Sequence, residues 1–394
     1  MIGPSLAPPR GFRDILPTEA RELRAIERRI GESFALHGYV PLEPPMVEHA
    51  SATLPVRADR LIRFLDRDGA LVVLRPDVTT AVARLVAQRY REATGALRLA
   101  YFGPVFREEP AMLGAERQHD QAGVELVGPS GPLADAEVLA LLADTLATCG
   151  LAGTTIEVGH LGLVRSLLAG LEPTALDETL VALRSGRVVD ALRCASDGGL
   201  EGSALERARR VLGSSGASLD DLDLPEAAAL RETIALASEL FPGDGSPAPY
   251  VANLALIPEL PYYTGIVFEA QAPGARFPIA AGGRYDDLLL SFGAPRPAIG
   301  FAIPVPRLHL ALYQSGWRVR DERALVTLRA SDDARATLRV ARVLRARGIA
   351  VAIGDVADDA GLEVVVLEVV DERTVRDASG HTTPVDLVAA RLAR

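Results

Sequence analysis

Two neighbouring stretches constrain this chain most: "LRLAYFGPVFREE" (Leu97 to Glu109) and "HDQAGVELVG" (His119 to Gly128), joined by a polar, glycine-containing loop. Both read as strand patterns, and together they predict an antiparallel pair. Further strand patterns extend this hairpin-rich theme: "ALVVLRPD" (Ala70 to Asp77), "TTIEVGH" (Thr154 to His160), "YVANLALI" (Tyr250 to Ile257), "YYTGIVFEAQ" (Tyr262 to Gln271) and "FPIAAGGRYD" (Phe277 to Asp286).

Helices are expected between them. Leu23, Ile26, Ile30 and Phe34 fall on one face of a helix over 18–38 that Gly38 can end. Others are expected over 78–90 and 134–148 and from near Pro304. From about Leu161 to Leu240 helical stretches broken by Gly and Ser dominate, which reads as a helical insertion. From about Arg323 strand and helix alternate in a small α/β unit without an evident basic face. The expected organisation is a body over 1–322, with the insertion at about 161–240, and a C-terminal unit over 323–394.

Composition narrows the function. A chain of 394 residues can bury two or three cores. Its net charge of -10 gives no long-range pull on nucleic acid. All 42 basic residues are arginine, so a Walker A loop, Schiff-base chemistry and a Ser-Lys dyad are excluded. Two cysteines without a CxxC fit a reducing, cytoplasmic setting. No secretory leader or membrane span is expected. The histidines lack metal-ligand spacing, so neither a metal nor a cofactor is expected; only His119 lies beside the candidate pocket.

"GFRDILP" (Gly11 to Pro17), "LRPDVT" (Leu74 to Thr79), "GPVFREE" (Gly103 to Glu109), "QAGVELVG" (Gln121 to Gly128) and "YYTGIVFE" (Tyr262 to Glu269) follow one another in the order found in histidyl-tRNA synthetases. "GGRYDDLL" and "AIGFAIPVPRL" (Ala298 to Leu308) stand where that family has its last motif. An ordered set over about 300 residues is a far stronger signal than any single motif. The resemblance implies an α+β, class II synthetase-like body: a mostly antiparallel sheet with flanking helices. The C-terminal unit would then be a degenerate anticodon-binding-like domain, read here as a packing or oligomerisation module. Within the group the chain looks most like the regulatory subunits of ATP phosphoribosyltransferase. That resemblance implies a non-catalytic partner of the short-form catalytic subunit, at the first step of histidine biosynthesis, with L-histidine as feedback effector. It also implies a homodimer within a hetero-oligomer and no tRNA partner.

Free histidine needs carboxylate and amide oxygens for its ammonium, an acceptor and a hydroxyl for its imidazole, and a cation or N–H groups for its carboxylate. By resemblance, Asp77, Thr79 and Gln121 match the residues that hold the α-amino group. Glu125 and Tyr262 match those that read the imidazole, with Tyr263 beside them, and Arg107 matches the arginine near the carboxylate or phosphate end. Asp77 stands where the synthetases usually have glutamate, which shortens the arm toward the ammonium. Each residue has a plainer alternative. Asp77 could cap the helix that follows it. Arg107 could pair on the surface with Glu108 or Glu109. Gln121 and Glu125 share a strand face, so one could be solvated. The tyrosines could be core and rim.

The alternative activity is that of an active histidyl-tRNA synthetase. Amino-acid activation needs preorganised cations around the phosphates. Where those synthetases carry "RGLDYY", this chain reads "PELPYY", with Pro258 at the arginine position and Pro261 at the aspartate position. "PAMLGAERQHD" (Pro110 to Asp120) keeps only Arg117 as a cation, and Pro304 and Pro306 interrupt the last motif while Arg284 and Arg307 remain. "VVVLEVVDERTV" (Val364 to Val375) superficially resembles a phosphoribosyl-diphosphate loop, but its acidic pair and Thr-Gly ending are out of place. It reads as a buried strand and its exit turn.

Overall fold

A computed structural model describes residues 6–52, 58–108, 116–213, 219–241, 248–258, 260–319, 325–330, 333–355 and 364–392. The chain divides into two compact units: Met1–Asp14 with Leu23–Trp317, and Ile15–Glu22 with Arg318–Arg394.

The first unit takes α1 (Pro17–Leu36) from Leu23 onward, then β1 (Val40–Pro41), β2 (Val47–His49), β3 (Arg63–Leu65), β4 (Leu71–Leu74) and α2 (Thr79–Arg89). The predicted hairpin is β5 (Leu97–Phe106) and β6 (Gln118–Val127), followed by α3 (Pro132–Thr148) and β7 (Thr155–His160). The helical insertion comprises α4 (Leu161–Leu167), α5 (Pro173–Arg184), α6 (Val188–Asp197), α7 (Gly202–Leu212) and α8 (Pro225–Leu240). Then come β8 (Tyr250–Ala252), β9 (Ile266–Gln271), β10 (Ala280–Arg284), β11 (Ala298–Pro304) and α9 (Val305–Gln314).

Eight strands form one sheet in the order β1-β5-β6-β11-β10-β9-β7-β8. All its pairings are antiparallel except the short edge pairs β1–β5 and β7–β8. The alternation read from the sequence sets this register: Tyr101 stands opposite Gly123 and Leu99 opposite Glu125. Leu23, Ile26, Ile30 and Phe34 of α1 are buried in the core, as their spacing predicts. β2, β4 and β3 make a separate small antiparallel sheet.

Several expected strands are shorter, among them β10, which covers only Ala280–Arg284 of the expected Phe277–Asp286. β8 ends at Ala252 because Asn253 turns the chain, its Oδ1 accepting from the Ala255 N–H at 3.1 Å. β9 begins only at Ile266, so Tyr262 and Tyr263 precede the strand instead of starting it.

The second unit carries β12 (Leu325–Arg329), α10 (Ala334–Ala346), β13 (Val351–Ile353), β14 (Val364–Val369), β15 (Thr374–Arg376), β16 (Thr382–Pro384) and α11 (Val385–Leu392). Its five strands lie in the order β13-β12-β14-β15-β16. Two expectations are corrected here. β14 is not buried throughout: Leu367 and Val369 are, whereas Val364 is exposed. α10 does carry a basic face, with Arg335, Arg339, Arg342 and Arg345 all exposed. Their spacing of three or four keeps them opposite the buried stripe of Ala336, Val340, Ala341 and Leu344.

Candidate functional site

A cavity of about 500 Å³ opens beside the large sheet, lined by residues from the start of α2, the β5–β6 hairpin, the segment before β9, and β9 to β11. Asp77, Thr79, Arg107, Gln121, Tyr262 and Tyr263 all line it, so the fold gathers residues far apart in the chain. Glu125, the seventh candidate, does not line it but lies just behind, 1% exposed.

Asp77 occupies the turn into α2. Its Oδ1 accepts the Thr80 N–H at 2.6 Å, so the capping alternative holds for that oxygen. Its Oδ2 is buried and makes no hydrogen bond. Burial raises the Asp77 carboxyl above its ordinary range, opposed by the Thr80 bonds and by Arg107 and Arg75. A buried carboxylate oxygen with no partner is costly unless a donor reaches it.

Arg107 makes no pair with Glu108; its Nε donates to the Pro76 carbonyl at 2.9 Å, which holds it against the Asp77 turn. Glu108 pairs instead with Arg117, whose guanidinium also lies 5.4 Å from the Phe12 ring. Glu109 and Pro110 to Ala115 lie outside the described residues. Gln121 and Glu125 share a face of β6 and both are buried, so neither is the solvated partner.

Glu125 meets an unexpected partner, Tyr285, whose hydroxyl donates to Oε2. Burial pushes the Glu125 carboxyl up to about 8, with the Tyr285 and Thr79 hydroxyls pulling it back. Gly300 stands opposite Glu125 on β11, where any Cβ would collide with Glu125 Oε2. Tyr285 also packs edge-on against Tyr262, ring centroids 5.7 Å apart, and Tyr262 lies 4.8 Å from Tyr263. Gly283 leaves room for Tyr263, since a Cβ there would lie 2.8 Å from the ring. Sequence reasoning quoted "GGRYD" but gave Tyr285 no role; two glycines before a tyrosine were the available signal.

Elsewhere the cavity departs from the synthetase pattern. Pro258 lines it where an activating arginine is expected in the synthetases, along with Phe277, Pro278, Arg60, His119 and Arg307. Arg307 donates to the Pro278 carbonyl at 3.1 Å and lies 5.5 Å from the Phe277 ring. Arg284, the other retained arginine, does not reach the cavity. It is held by Asp135 at 2.5 and 2.9 Å and by Asp286 at 3.0 Å. Among the described residues no group of His, Cys, Asp or Glu could hold a metal, and no helix is long and apolar enough to cross a membrane.

Comparisons with known proteins identify relatives of the chain. The family model described as histidyl-tRNA synthetase matches residues 11–308. An ATP phosphoribosyltransferase regulatory subunit from Symbiobacterium thermophilum is 35% identical over 370 residues, 90% of this chain and 92% of the relative. One from Moorella thermoacetica is 35% identical over 372 residues, 88% and 91% of the two chains. The crystal structure of an ATP phosphoribosyltransferase regulatory subunit/histidyl-tRNA synthetase from Bacillus halodurans superposes with TM-score 0.81 at 27% identity, covering 93% of this chain and 99% of that one.

Proposed function

The chain belongs to the histidyl-tRNA synthetase family, in its branch of ATP phosphoribosyltransferase regulatory subunits, and from that premise we infer that its cavity binds free L-histidine as a feedback signal. The regulatory role in histidine biosynthesis, without catalysis by this chain, comes with membership of that branch. The histidine site and its residues are the proposal.

The observation that carries it is the half-satisfied Asp77 carboxylate at the cavity wall. An ammonium group supplies the donor that Oδ2 lacks, and Thr79 and Gln121 stand on the same wall to complete its shell. Tyr262 faces the ring end of the ligand, with Tyr263 beside it and Glu125 behind, and Arg107 offers the cation for its carboxylate. A site that pairs each polar atom rejects analogues lacking one. With Pro258 and a held Arg284, the chain lacks the cation set that amino-acid activation requires.

The proposed partner is a short-form ATP phosphoribosyltransferase catalytic subunit in the cytoplasm, met by a homodimer of this chain within a hetero-oligomer, without tRNA. Histidine inhibits by binding one state of that assembly more tightly than the other; equal affinity would shift nothing. The test is the activity of such a catalytic subunit, with and without this chain, across a histidine titration. A rise in activity that histidine reverses supports the reading. If a competent partner shows neither effect, the reading fails, and histidine-dependent ATP–pyrophosphate exchange becomes the assay of choice.

A further inference from the structure

We propose that the catalytic subunit docks along the free edge of β8, laying there an extended segment whose arginine or lysine side chain enters a second cavity over Glu157 and Glu269; this rests on the partnership proposed above.

The large sheet ends at β8, and among the described residues no strand lies beyond it. β8 meets β7 in parallel. The Ile156 N–H donates to the Pro249 carbonyl at 2.7 Å, and the Asn253 N–H donates to the Val158 carbonyl at 2.8 Å. Backbone direction alternates along a strand, so the main-chain groups of Tyr250 and Ala252 point away from β7, where another strand can pair with them.

Beside this edge lies a cavity of about 550 Å³, between the sheet and the ends of α5 and α7. Its floor is one cross-strand row: Val251 stands opposite Glu157, and Glu157 opposite Glu269. Leu183, Val188 and Leu212 of the helical insertion give it apolar walls. Like charges directly opposite each other destabilise a sheet. Burial and Glu157 raise the Glu269 carboxyl, and the cation that opposes them is Arg307 of α9, which lines the first cavity. Glu157 accepts from Asn253 Nδ2 at 2.8 Å, a neutral donor. Arg184 stands exposed at the rim, and among the described residues no ion pair reaches either carboxylate. The row therefore lacks a cation framed by apolar surface. A strand added to β8 would lie about 10 Å from β7, a span that an arginine or lysine reaching over Val251 covers to meet Glu157.

A second copy of this chain fits poorly. Two-fold pairing of two β8 edges would extend the row with the same Glu157 and Glu269, adding carboxylates and no cation. The catalytic subunit is also the chain that has to sense histidine, and the two cavities share a wall. Leu256 and Glu269 line both, while Leu254 and Ile257 line this one and Pro258 and Leu260 the other. Occupancy of either cavity bears on the same short stretch of chain, and coupling of that kind is reciprocal.

The experiment measures assembly of a short-form catalytic subunit with the full chain by sedimentation velocity, for the wild type, Val251→Arg, Ala252→Pro and Glu157→Gln. Val251 is already 49% exposed, so an arginine there fills the groove with a cation without disturbing the core. Ala252→Pro removes an N–H that points away from β7. Both variants should weaken assembly by about tenfold or more. Histidine binding by the isolated chain, read by calorimetry, should stay as in the wild type, since neither residue lines the first cavity. Assembly of the wild type should weaken as salt is raised, and Glu157→Gln should flatten that dependence. Undiminished assembly in both Val251→Arg and Ala252→Pro overturns docking at this edge, and an unchanged salt dependence in Glu157→Gln overturns the basic side chain. Failure of the wild type to assemble at all is a different result, and it overturns the partnership itself.

Discussion

Two buried charge clusters lie within the same unit and are built on opposite plans. Around Arg284 the charges are answered: Asp135 and Asp286 take its donors, the Pro129 carbonyl takes another at 3.4 Å, and Asp286 also accepts the Ala298 N–H. Around Asp77 the account is left open, with one oxygen bonded to Thr80 and the other to nothing. Both residues stand in motifs of the family, so motif membership does not separate them. Satisfaction does: a closed cluster braces the fold, and an open one at a cavity wall is shaped for something outside the chain.

Removing charge from each cluster should therefore hurt different properties. Arg284→Met strands the buried Asp135 carboxylate and removes the partner of the half-exposed Asp286, and should cost about 3–5 kcal/mol of stability, read by denaturant unfolding. A small cost there would break the distinction. Asp77→Asn should leave unfolding stability nearly unchanged, since it relieves a buried charge, yet weaken histidine binding by about 2–3 kcal/mol, roughly thirty- to 150-fold, by calorimetry. If its stability falls as far as that of Arg284→Met, the two clusters are alike after all. Gly300→Ala drives a methyl into Glu125 and the Val124 carbonyl, and should cost about 1–3 kcal/mol of stability while lowering histidine affinity.

The gentlest test is titration. Burial raises the Glu125 carboxyl from 4.5 to about 8 in the folded chain. The folded state then holds this proton more tightly than the unfolded one. Its contribution to stability is fully present below pH 4.5 and is lost as pH rises toward about 8, by at most about 1.4 kcal/mol per pH unit. Unfolding curves of Glu125→Gln should lack this slope. An unchanged slope would mean that another group produces it.

Much of this was legible beforehand. The β5–β6 pairing, the buried face of α1 and the helical insertion follow from side-chain period, which is local. Strand ends were less legible: Asn253 ends β8 through a side-chain bond to the backbone that competes with the ladder, and an apolar run hides it. The basic face of α10 was missed because arginines scattered through the sequence align only once the helix forms.

The sequence by itself determined the family, the sheet-forming segments and six residues that line the cavity, because motif order and period are properties of the chain. Only the tertiary structure decided that Glu125 stands behind the wall, that Tyr285 stands in front of it, and that Arg284 is already held. Each of those facts depends on contacts between residues about 150 positions apart, such as Arg284 with Asp135 and Tyr285 with Glu125. Hydrogen-bond satisfaction is a property of such contacts, and no local pattern encodes it.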